Sequence, residues 1–577
     1  METLVKEHPR QTIVTPKRIS GSEAIILSLL EEGVKDVFGY PGGAIMPLYD
    51  ELYKYEDKPT HYLMRHEQGA VHAAQGFSRV SSKVGVCIAT SGPGATNLIT
   101  GIADAQLDST PLVCITGQVP SNLLGTSAFQ EIDIIGISMP VVKWNFQVTK
   151  AEEIPQALAK AFYIAASGRP GPVLIDITKD AQFGELNFVY EKCEGLRSYK
   201  PVPKLDISQI GRAATLINKA QKPLILCGHG VLLSKAEKAL LAFAEKTQTP
   251  VASTLLGLSA FPPNNPLYVG MLGMHGNYGP NVKTNEADLL IAVGMRFDDR
   301  VTGNLDFYAK QAKVIHIEID QSEIDKNVKA DVAVLADAKQ ALLAITALVG
   351  ETKRNKWLAE FKACDAIEEA KVGGKERYPT SGEIKMAEVV KLISDKTNGK
   401  AVLVTDVGQH QMIANRYYKF NTPNSIVTSG GLGTMGFALP SAIGAGIGDK
   451  EREIIAIAGD GGIQMTIQEL GALAQYNVPV KVIVLNNGFL GMVRQWQQLF
   501  FEKRYAFTEM ANPDFVAIAK GYGLDSAKVL AREELDAAIE KMLDHKGPYL
   551  LEIKVEQEEN VFPMVPPGAS VSDVILE

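Results

Sequence analysis

Two polar endings in the C-terminal third of the chain have residue types that could do chemistry. The run EIIAIAGDGG passes from apolar residues into Gly459, Asp460, Gly461 and Gly462, and VKVIVLNNG ends on Asn486 and Asn487. The spacing predicts two strands joined by a crossover helix over TIQELGALAQYN, with Ile467, Leu470, Leu473 and Ala474 on its apolar face. In a parallel, right-handed βαβ unit both strands point the same way, so Asp460 and Asn487 meet at one sheet edge. That edge is where doubly wound sheets bind ligands. A carboxylate beside an amide oxygen suits a hard cation such as Mg²⁺, which bridges to phosphates. The three glycines would let the backbone approach a diphosphate closely. A lone GDG would favour an Asp cap at a strand–helix turn. The ordered strand, GDG, helix, strand and NN argues for the cation site.

Other stretches have chemical potential of their own. GLGTMG, from Gly431 to Gly436, follows strand-like NSIVTS and precedes helical FALPSAIGAGIG, the setting of a dinucleotide fingerprint. The acidic residue such a site needs about 20 positions on is missing, because the next strand ends at Asp460, already placed at the cation. VGQHQM puts Gly408, Gln409 and His410 at the end of another strand, within reach of a diphosphate; His410 is also readable as an ordinary core or surface histidine. CGHGVL places Gly228 and Gly230 in a turn suited to a phosphate. RFDDRVTGN reads by itself as a charged loop after a strand. In YLMRHEQGAVHAAQGFSRV, Glu67 opens a helix after a short strand, and Gly69, Ala70, Ala73 and Ala74 allow close packing behind it. The helix dipole alone would favour an acid there. A carboxylate with a raised pKa in a dry pocket could also move protons.

These residues need parallel sheets to hold them. Apolar β-rich runs alternate with helical patterns over all 577 residues, which predicts an α/β chain of three doubly wound parallel-sheet domains. The expected boundaries are 18–186, 205–350 and 380–560, with a Pro/Gly-rich covering tail at 561–577. YEKCEGLRSYKPVPK and VGGKERYPTSGEI read as linkers. The first and third blocks look alike. Hydrophobic content of 46% and charged content of 21% fit a soluble globular protein. A net charge of −8 argues against nucleic-acid binding. The five cysteines are scattered without CxxC spacing, so neither zinc nor a disulfide framework is expected, and Cys87, Cys114 and Cys227 read as core residues. No apolar stretch approaches the ~20 residues of a membrane span. METLVKEHPRQTIVTPKR lacks the features of a signal or transit peptide, so a cytoplasmic setting is expected.

GDG with NN, together with GLGTMG, HEQGA and SGPGATN, resembles the thiamine diphosphate enzymes. Within them the chain is most similar to the biosynthetic, FAD-containing acetohydroxyacid (acetolactate) synthases, catalytic large subunit. The supporting runs include YPGGAIMPLYD, SGPGATNLITGIADAQLDSTPLVCITGQVP, GTSAFQE, RPGPVLIDITKD, GMLGMHG, GMRFDDRVTGN, GGLGTMGFALP, GMVRQWQ and VFPMVPPG, in order over nearly the whole chain.

The resemblance implies a pyrimidine-binding N-terminal domain, a central FAD-associated domain and a diphosphate-binding C-terminal domain. It implies Mg²⁺ held by Asp460, Asn487 and the carbonyl of Phe489. Thiamine diphosphate contacts are expected from Tyr40, Pro41, Gly408, Gln409, His410, Gly431, Gly433, Met435, Gly459, Gly461, Gly462 and Met492. Gly433 would offer its carbonyl to the pyrimidine amino group, and Met435 would keep the two rings folded together. Catalysis falls to Glu67, with Gly43, Gln130 and Lys179 around the reacting ring. FAD contacts carried over by position are Arg169, Gly228, Gly230, Thr254, Leu255, Gly273, His275, Gly294, Arg296, Asp298, Arg300, Val301, Glu318, Ile319, Asp337 and Ala338. Ala44, Phe129, Arg300, Val493 and Trp496 are expected at the substrate, with Arg300 as a fork for a carboxylate and Trp496 as an apolar wall. Pro120, Ala128 and Trp496 match family positions where sulfonylurea-type inhibitors bind.

The implied reaction decarboxylates pyruvate and joins the two-carbon unit to a second pyruvate or to 2-ketobutyrate. Glu67 and the diphosphate site normally come from different subunits in this family, so a homodimer or homotetramer is implied, together with a separate regulatory small subunit. A pyruvate oxidase using FAD as electron acceptor is the alternative within the same chemistry, and a nicotinamide dehydrogenase resting on GLGTMG is the alternative outside it. One departure is GIQM after Gly461, where relatives often carry a small residue and an aromatic.

Overall fold

The computed structural model describes residues 17–55 and 59–577; the N-terminal stretch weighed above for a targeting signal lies, up to residue 16, outside the described residues. Three six-stranded sheets carry the chain, each parallel throughout. Their central strands are buried along their whole length, as in Leu112–Gln118, Pro172–Thr178, Leu289–Val293 and Val480–Asn486. Helices cover both faces of such strands, so their sequences are continuous apolar runs.

The first sheet has the spatial order Thr60–Leu63, Asp36–Gly39, Gly85–Ala89, Leu112–Gln118, Pro172–Thr178, Trp144–Val148. The third repeats that order of connection with Ile426–Thr428, Val402–Thr405, Ile454–Gly459, Val480–Asn486, Tyr549–Lys554 and Asp525–Val529. The likeness of the first and third blocks is therefore one of topology. The middle sheet differs, running Tyr268–Met271, Val251–Ser253, Pro223–Cys227, Leu289–Val293, Lys313–Glu318, Val332–Leu335. That is the order of dinucleotide-binding sheets. Cys87, Cys114 and Cys227 are buried in these strands.

The crossover after Asp460 is more broken than its periodicity predicts. A helix begins at Asp460 itself and stops at Met465, a 3-10 turn follows over Ile467–Glu469, and helix resumes at Leu470–Gln475. Thr466, at the break, leaves helical geometry and donates its hydroxyl to the Gly436 carbonyl (2.9 Å). The second predicted linker is helical in its first half, since the helix Asn355–Glu368 runs on through a π turn into Gly374–Arg377. Glu376 there is buried against the Tyr417 hydroxyl. The C-terminal tail lies over the middle block: Val565 N–H donates to the Met274 carbonyl (2.8 Å) and Asn304 N–H to the Ala569 carbonyl (2.9 Å). Among the described residues no helix is long and apolar enough to cross a membrane.

The first and third blocks share one core, in which Phe38, Ala73, Phe437, Ala442 and Leu470 belong to a single buried cluster. The contact is made by helix Glu67–Ser81 crossing helix Ala438–Gly448. Both present small residues, and the backbones touch. A Cβ on Gly76 would overlap the Ser441 carbonyl, and one on Gly444 would overlap the Ala73 carbonyl. Overpacking of this kind costs about 1–3 kcal/mol or more. Gly76→Ala or Gly444→Ala should lower the unfolding temperature in scanning calorimetry. Gly211→Ala, where a Cβ meets open space, should not lower it.

Candidate active site

Ile454–Gly459 pairs in parallel with Val480–Asn486, with Gly459 opposite Leu485, so Asp460 and Asn487 leave the sheet at one edge. Asp460 is 2% exposed and Asn487 3%. Asp460 Oδ2 accepts from Gly488 N–H (2.8 Å) and from Asn512 Nδ2 (2.6 Å). Burial pushes the Asp460 carboxyl up, against the pull of those hydrogen bonds. The first asparagine joins Asp460 through a shared partner, Asn512. Asn486 Nδ2 donates to buried Glu552 (2.8 Å), and its oxygen accepts from Asn512 (3.0 Å). Asn487 Oδ1 accepts from Phe489 N–H (3.1 Å), and its Nδ2 approaches Gln409 Oε1 (3.4 Å). Among the described residues no cluster of three or more His, Cys, Asp or Glu could hold a metal. The donor set here is one carboxylate with amide and main-chain oxygens, the hard ligands that suit Mg²⁺.

Above this edge the helix Gln409–Tyr417 starts without a side-chain cap. A helix start of this kind can receive an anion. Burial lowers His410 to about 4, so the ring is neutral, and its buried Nε2 has no partner among the described residues. A Cβ on Gly459 would lie 2.8 Å from His410 Nδ1, so glycine is required beneath the ring. Asp406 ends the neighbouring strand and accepts from Val407, Gly436 and Ala438 N–H groups (2.8–3.1 Å). One buried carboxylate thus ties the VGQH turn to the GLGTMG loop. A Cβ on Gly461 would meet Leu490, Met510 and Met435.

A cavity of about 860 Å³ opens beside this loop and runs into the middle block. It brings Gly408, Gly431, Gly433, Met435, Met492, Val493 and Trp496 together with Arg300. Met492, Val493 and Trp496 lie on one face of helix Gly491–Phe500. The other face is anchored by buried Arg494, which donates to the Glu559 carbonyl (2.6 Å). Of the positions expected at FAD, Arg169, Gly230, Thr254, Leu255, Gly273, His275, Gly294, Arg296, Asp298, Val301, Glu318, Ile319, Asp337 and Ala338 line the same cavity. Gly228 does not line it, since it packs against Gly294 and Met295, where a Cβ has no room. Burial pushes Glu318 up to about 7 and His275 down to about 4, and His275 Nδ1 is a buried atom with no partner among the described residues. The size, the glycine edges and these polar atoms fit a dinucleotide.

Glu67 stands elsewhere. It is the first residue of helix Glu67–Ser81, half-buried, and accepts from Asn97 Nδ2 (3.0 Å). Tyr40, Pro41, Gly43, Ala44, Phe129 and Gln130 lie on loops of the first block, Lys179 opens the short helix Lys179–Phe183, and none of them lines the large cavity. Phe129 is 88% exposed and Tyr40 39%. Gln130 has a positive φ of 59° and crowds Gly92.

Sequence reading missed three supports: Asp406, Asn512 and Glu469. Glu469, buried in the break after the GDG helix, accepts from Arg65 N–H through both oxygens (3.1 Å). Arg65 itself donates to the Gly471 carbonyl (3.2 Å) and Gln475 (2.7 Å), and Leu63 N–H donates to the Tyr476 hydroxyl (2.6 Å). The turn that presents Glu67 is therefore held by the third block.

Three thiamine pyrophosphate enzyme families match in sequence. They are the N-terminal TPP binding domain over residues 19–137, the central domain over 210–345 and the C-terminal TPP binding domain over 406–553. The acetolactate synthase large subunit of Corynebacterium glutamicum is 47% identical, over 97% of this chain and 90% of that protein. The large subunit from Parasynechococcus marenigrum is 46% identical, over 97% and 91%, and the isozyme 2 large subunit of Escherichia coli 44%, over 96% and 99%. The chain belongs to the acetolactate synthase large-subunit family. It is thus a thiamine-diphosphate-dependent enzyme, and the two sheets of identical order are its thiamine diphosphate domains.

Glu469 gives this site a signature in pH. Burial pushes its carboxyl up to about 7, above its value in the unfolded chain. The folded state therefore binds the extra proton, and stability falls as pH rises from about 4.5 to 7. Glu469→Gln, which keeps an acceptor oxygen, should flatten that decline in denaturant titrations across pH. Glu469→Ala should lose about 1–3 kcal/mol, because the Arg65 N–H loses both of its acceptor oxygens.

Proposed function

We propose that this chain is the catalytic subunit of an acetohydroxyacid synthase, making 2-acetolactate from two pyruvates, or 2-aceto-2-hydroxybutyrate from pyruvate and 2-ketobutyrate, in branched-chain amino acid biosynthesis. The observation that carries the reading is the single cavity in which Arg300 and Trp496 meet the GLGTMG loop, in a chain of this family.

Thiamine diphosphate, when bound, supplies the carbon nucleophile that takes the two-carbon unit from pyruvate and passes it on. The chain's residues do the rest. Asp460, Asn487 and the Phe489 carbonyl hold Mg²⁺, and Gly408, Gln409 and His410 face the diphosphate. Gly431, Gly433 and Met435 cradle the pyrimidine ring, with Gly459, Gly461, Gly462 and Met492 close by. Glu67 would hydrogen-bond the pyrimidine ring of bound thiamine diphosphate and so assist its proton transfer. Tyr40, Pro41, Gly43, Gln130 and Lys179 surround the reacting carbon, and Ala44, Phe129 and Val493 wall off water. Arg300 binds the carboxylate of the second keto acid as a fork. Trp496, edge-on to Phe500 at 5.8 Å, supplies a flat apolar wall. One methylene against such a wall is worth about 1–3 kcal/mol of selectivity.

Arg169, Arg296 and Glu318, in the middle-block half of the cavity, would hold FAD, which would serve a structural role without net redox turnover. The exposed Phe129 and Tyr40 and the separation of Glu67 from the cavity support a site completed by a second copy of the chain, in a homodimer or homotetramer. A separate small subunit regulates it, as the large-subunit names of the relatives imply.

The deciding experiment supplies pyruvate, with and without 2-ketobutyrate, to protein loaded with thiamine diphosphate, Mg²⁺ and FAD under anaerobic conditions. Acetohydroxyacid products with oxidised flavin are expected. Flavin reduction with acetate-level products would mean a pyruvate oxidase. Glu67→Gln should lose turnover by about 10²–10⁴-fold, the worth of a placed acid or base, while cofactor binding measured by calorimetry persists. Full activity in that variant would sink the assignment of Glu67.

A further inference from the structure

The carboxyl end of helix Ile99–Asp108 stands between the two halves of the cavity, with Leu107, Asp108 and Ser109 in its wall. Asp108 is 1% exposed. Its Oδ2 accepts from Gly430 N–H (2.8 Å) and its Oδ1 from Gly431 N–H (2.7 Å). Oδ2 also accepts from Arg79 (2.7 Å), whose guanidinium reaches on to the Thr428 carbonyl (2.8 Å) and Thr110 (3.1 Å). One helical turn earlier, fully buried Asp104 accepts from the Ser429 hydroxyl. The Ser429 oxygen in turn accepts from Thr434 N–H (2.8 Å). Two carboxylates four residues apart therefore hold both ends of the segment Ser429–Thr434.

The central block meets the same point. The His229 ring lies 3.0 Å from the Asp108 carbonyl, and Arg169 donates to Ser109 (2.9 Å). A Cβ on Gly431 would lie 2.8 Å from Arg296 Nη2 and 3.0 Å from Asp108 Oδ1, so the loop is fitted between them. Two buried acids on neighbouring turns are costly unless each is satisfied or neutral. Burial, with the Asp108 charge second, pushes Asp104 up to about 7. Its second oxygen has no partner among the described residues. What the two acids share is the loop.

We propose that Asp108, seconded by Asp104, is the positioning residue that sets the Gly430–Gly433 loop for the thiamine pyrimidine ring. It acts from the first domain of the same chain. This rests on the reading that the loop carries that ring. Asp108→Asn puts an NH₂ donor where a backbone N–H needs an acceptor, while changing little in volume. Losing a charged acceptor is worth a factor of about ten or more.

The test uses the full-length chain. In the cofactor-free protein, amide hydrogen exchange of peptides over 428–436 should be at least about tenfold faster in Asp108→Asn than in wild type, while peptides over 459–465 are unchanged. Thiamine diphosphate affinity, titrated with Mg²⁺ in calorimetry, should weaken by about the same factor, with a smaller change in kcat at saturating cofactor. Should Asp108→Asn not accumulate as folded protein, Ser429→Ala, which removes the Asp104 link and the Thr434 N–H bond to the same hydroxyl while leaving Asp108 in place, is expected to move both readouts in the same direction. Unchanged exchange over 428–436 would overturn the proposal directly. Faster exchange with unchanged cofactor affinity would overturn it through the reading of the loop on which it rests. That second outcome is distinct from the first because it leaves the Asp108 clamp itself intact.

Discussion

The structure depends on one contact: the backbone of helix Glu67–Ser81 lying directly on that of helix Ala438–Gly448. Glycines at 76 and 444 make it possible, because any side chain there would overlap a carbonyl of the other helix. The contact fuses the cores of the first and third domains. It also fixes where Glu67 can point, because the residue opens one of the two helices. With the Glu469–Arg65 hydrogen bonds, the turn before Glu67 is tied to the segment that follows the GDG turn. Within one chain, this geometry leaves Glu67 away from the cavity that holds the GLGTMG loop.

Buried acids recur wherever irregular backbone must be held. Asp406 accepts three N–H groups between the VGQH turn and the GLGTMG segment, Asp108 accepts two from that segment, and Glu469 holds the turn before Glu67. Loops at the carboxyl edges of parallel sheets leave N–H groups without strand partners. A carboxylate with two oxygens satisfies several at once and does so more strongly than a neutral acceptor. The cost appears as carboxyls pushed up by burial, Glu469 and Asp104 among them.

Central strands were legible because parallel sheets covered on both faces demand continuous apolar runs, and IIAIAG, VKVIVLN and PVLIDIT are such runs. Edge strands such as Trp144–Val148 and Asp525–Val529 were harder, since one side is open and their burial is uneven. The break at Thr466 was invisible to periodicity: it exists to reach the Gly436 carbonyl, 30 residues away in sequence. Asn512 was missed for a similar reason. It lies 52 residues beyond Asp460 in a stretch with no motif, yet donates to its carboxylate at 2.6 Å.

The sequence by itself determined the number and kind of sheets, the sheet edge shared by Asp460 and Asn487, and the family. These follow from local patterns: apolar runs, glycine turns and motif order, each set within a few dozen residues. Only the tertiary structure decided which residues share a cavity. Arg300 and Trp496 are 196 positions apart, as the numbering counts, and meet because two domains pack around one loop. Asp108 and Gly431 meet for the same reason. Such pairings are set by close packing between helices and by the need to satisfy buried N–H groups. Neither leaves a periodic trace in the chain.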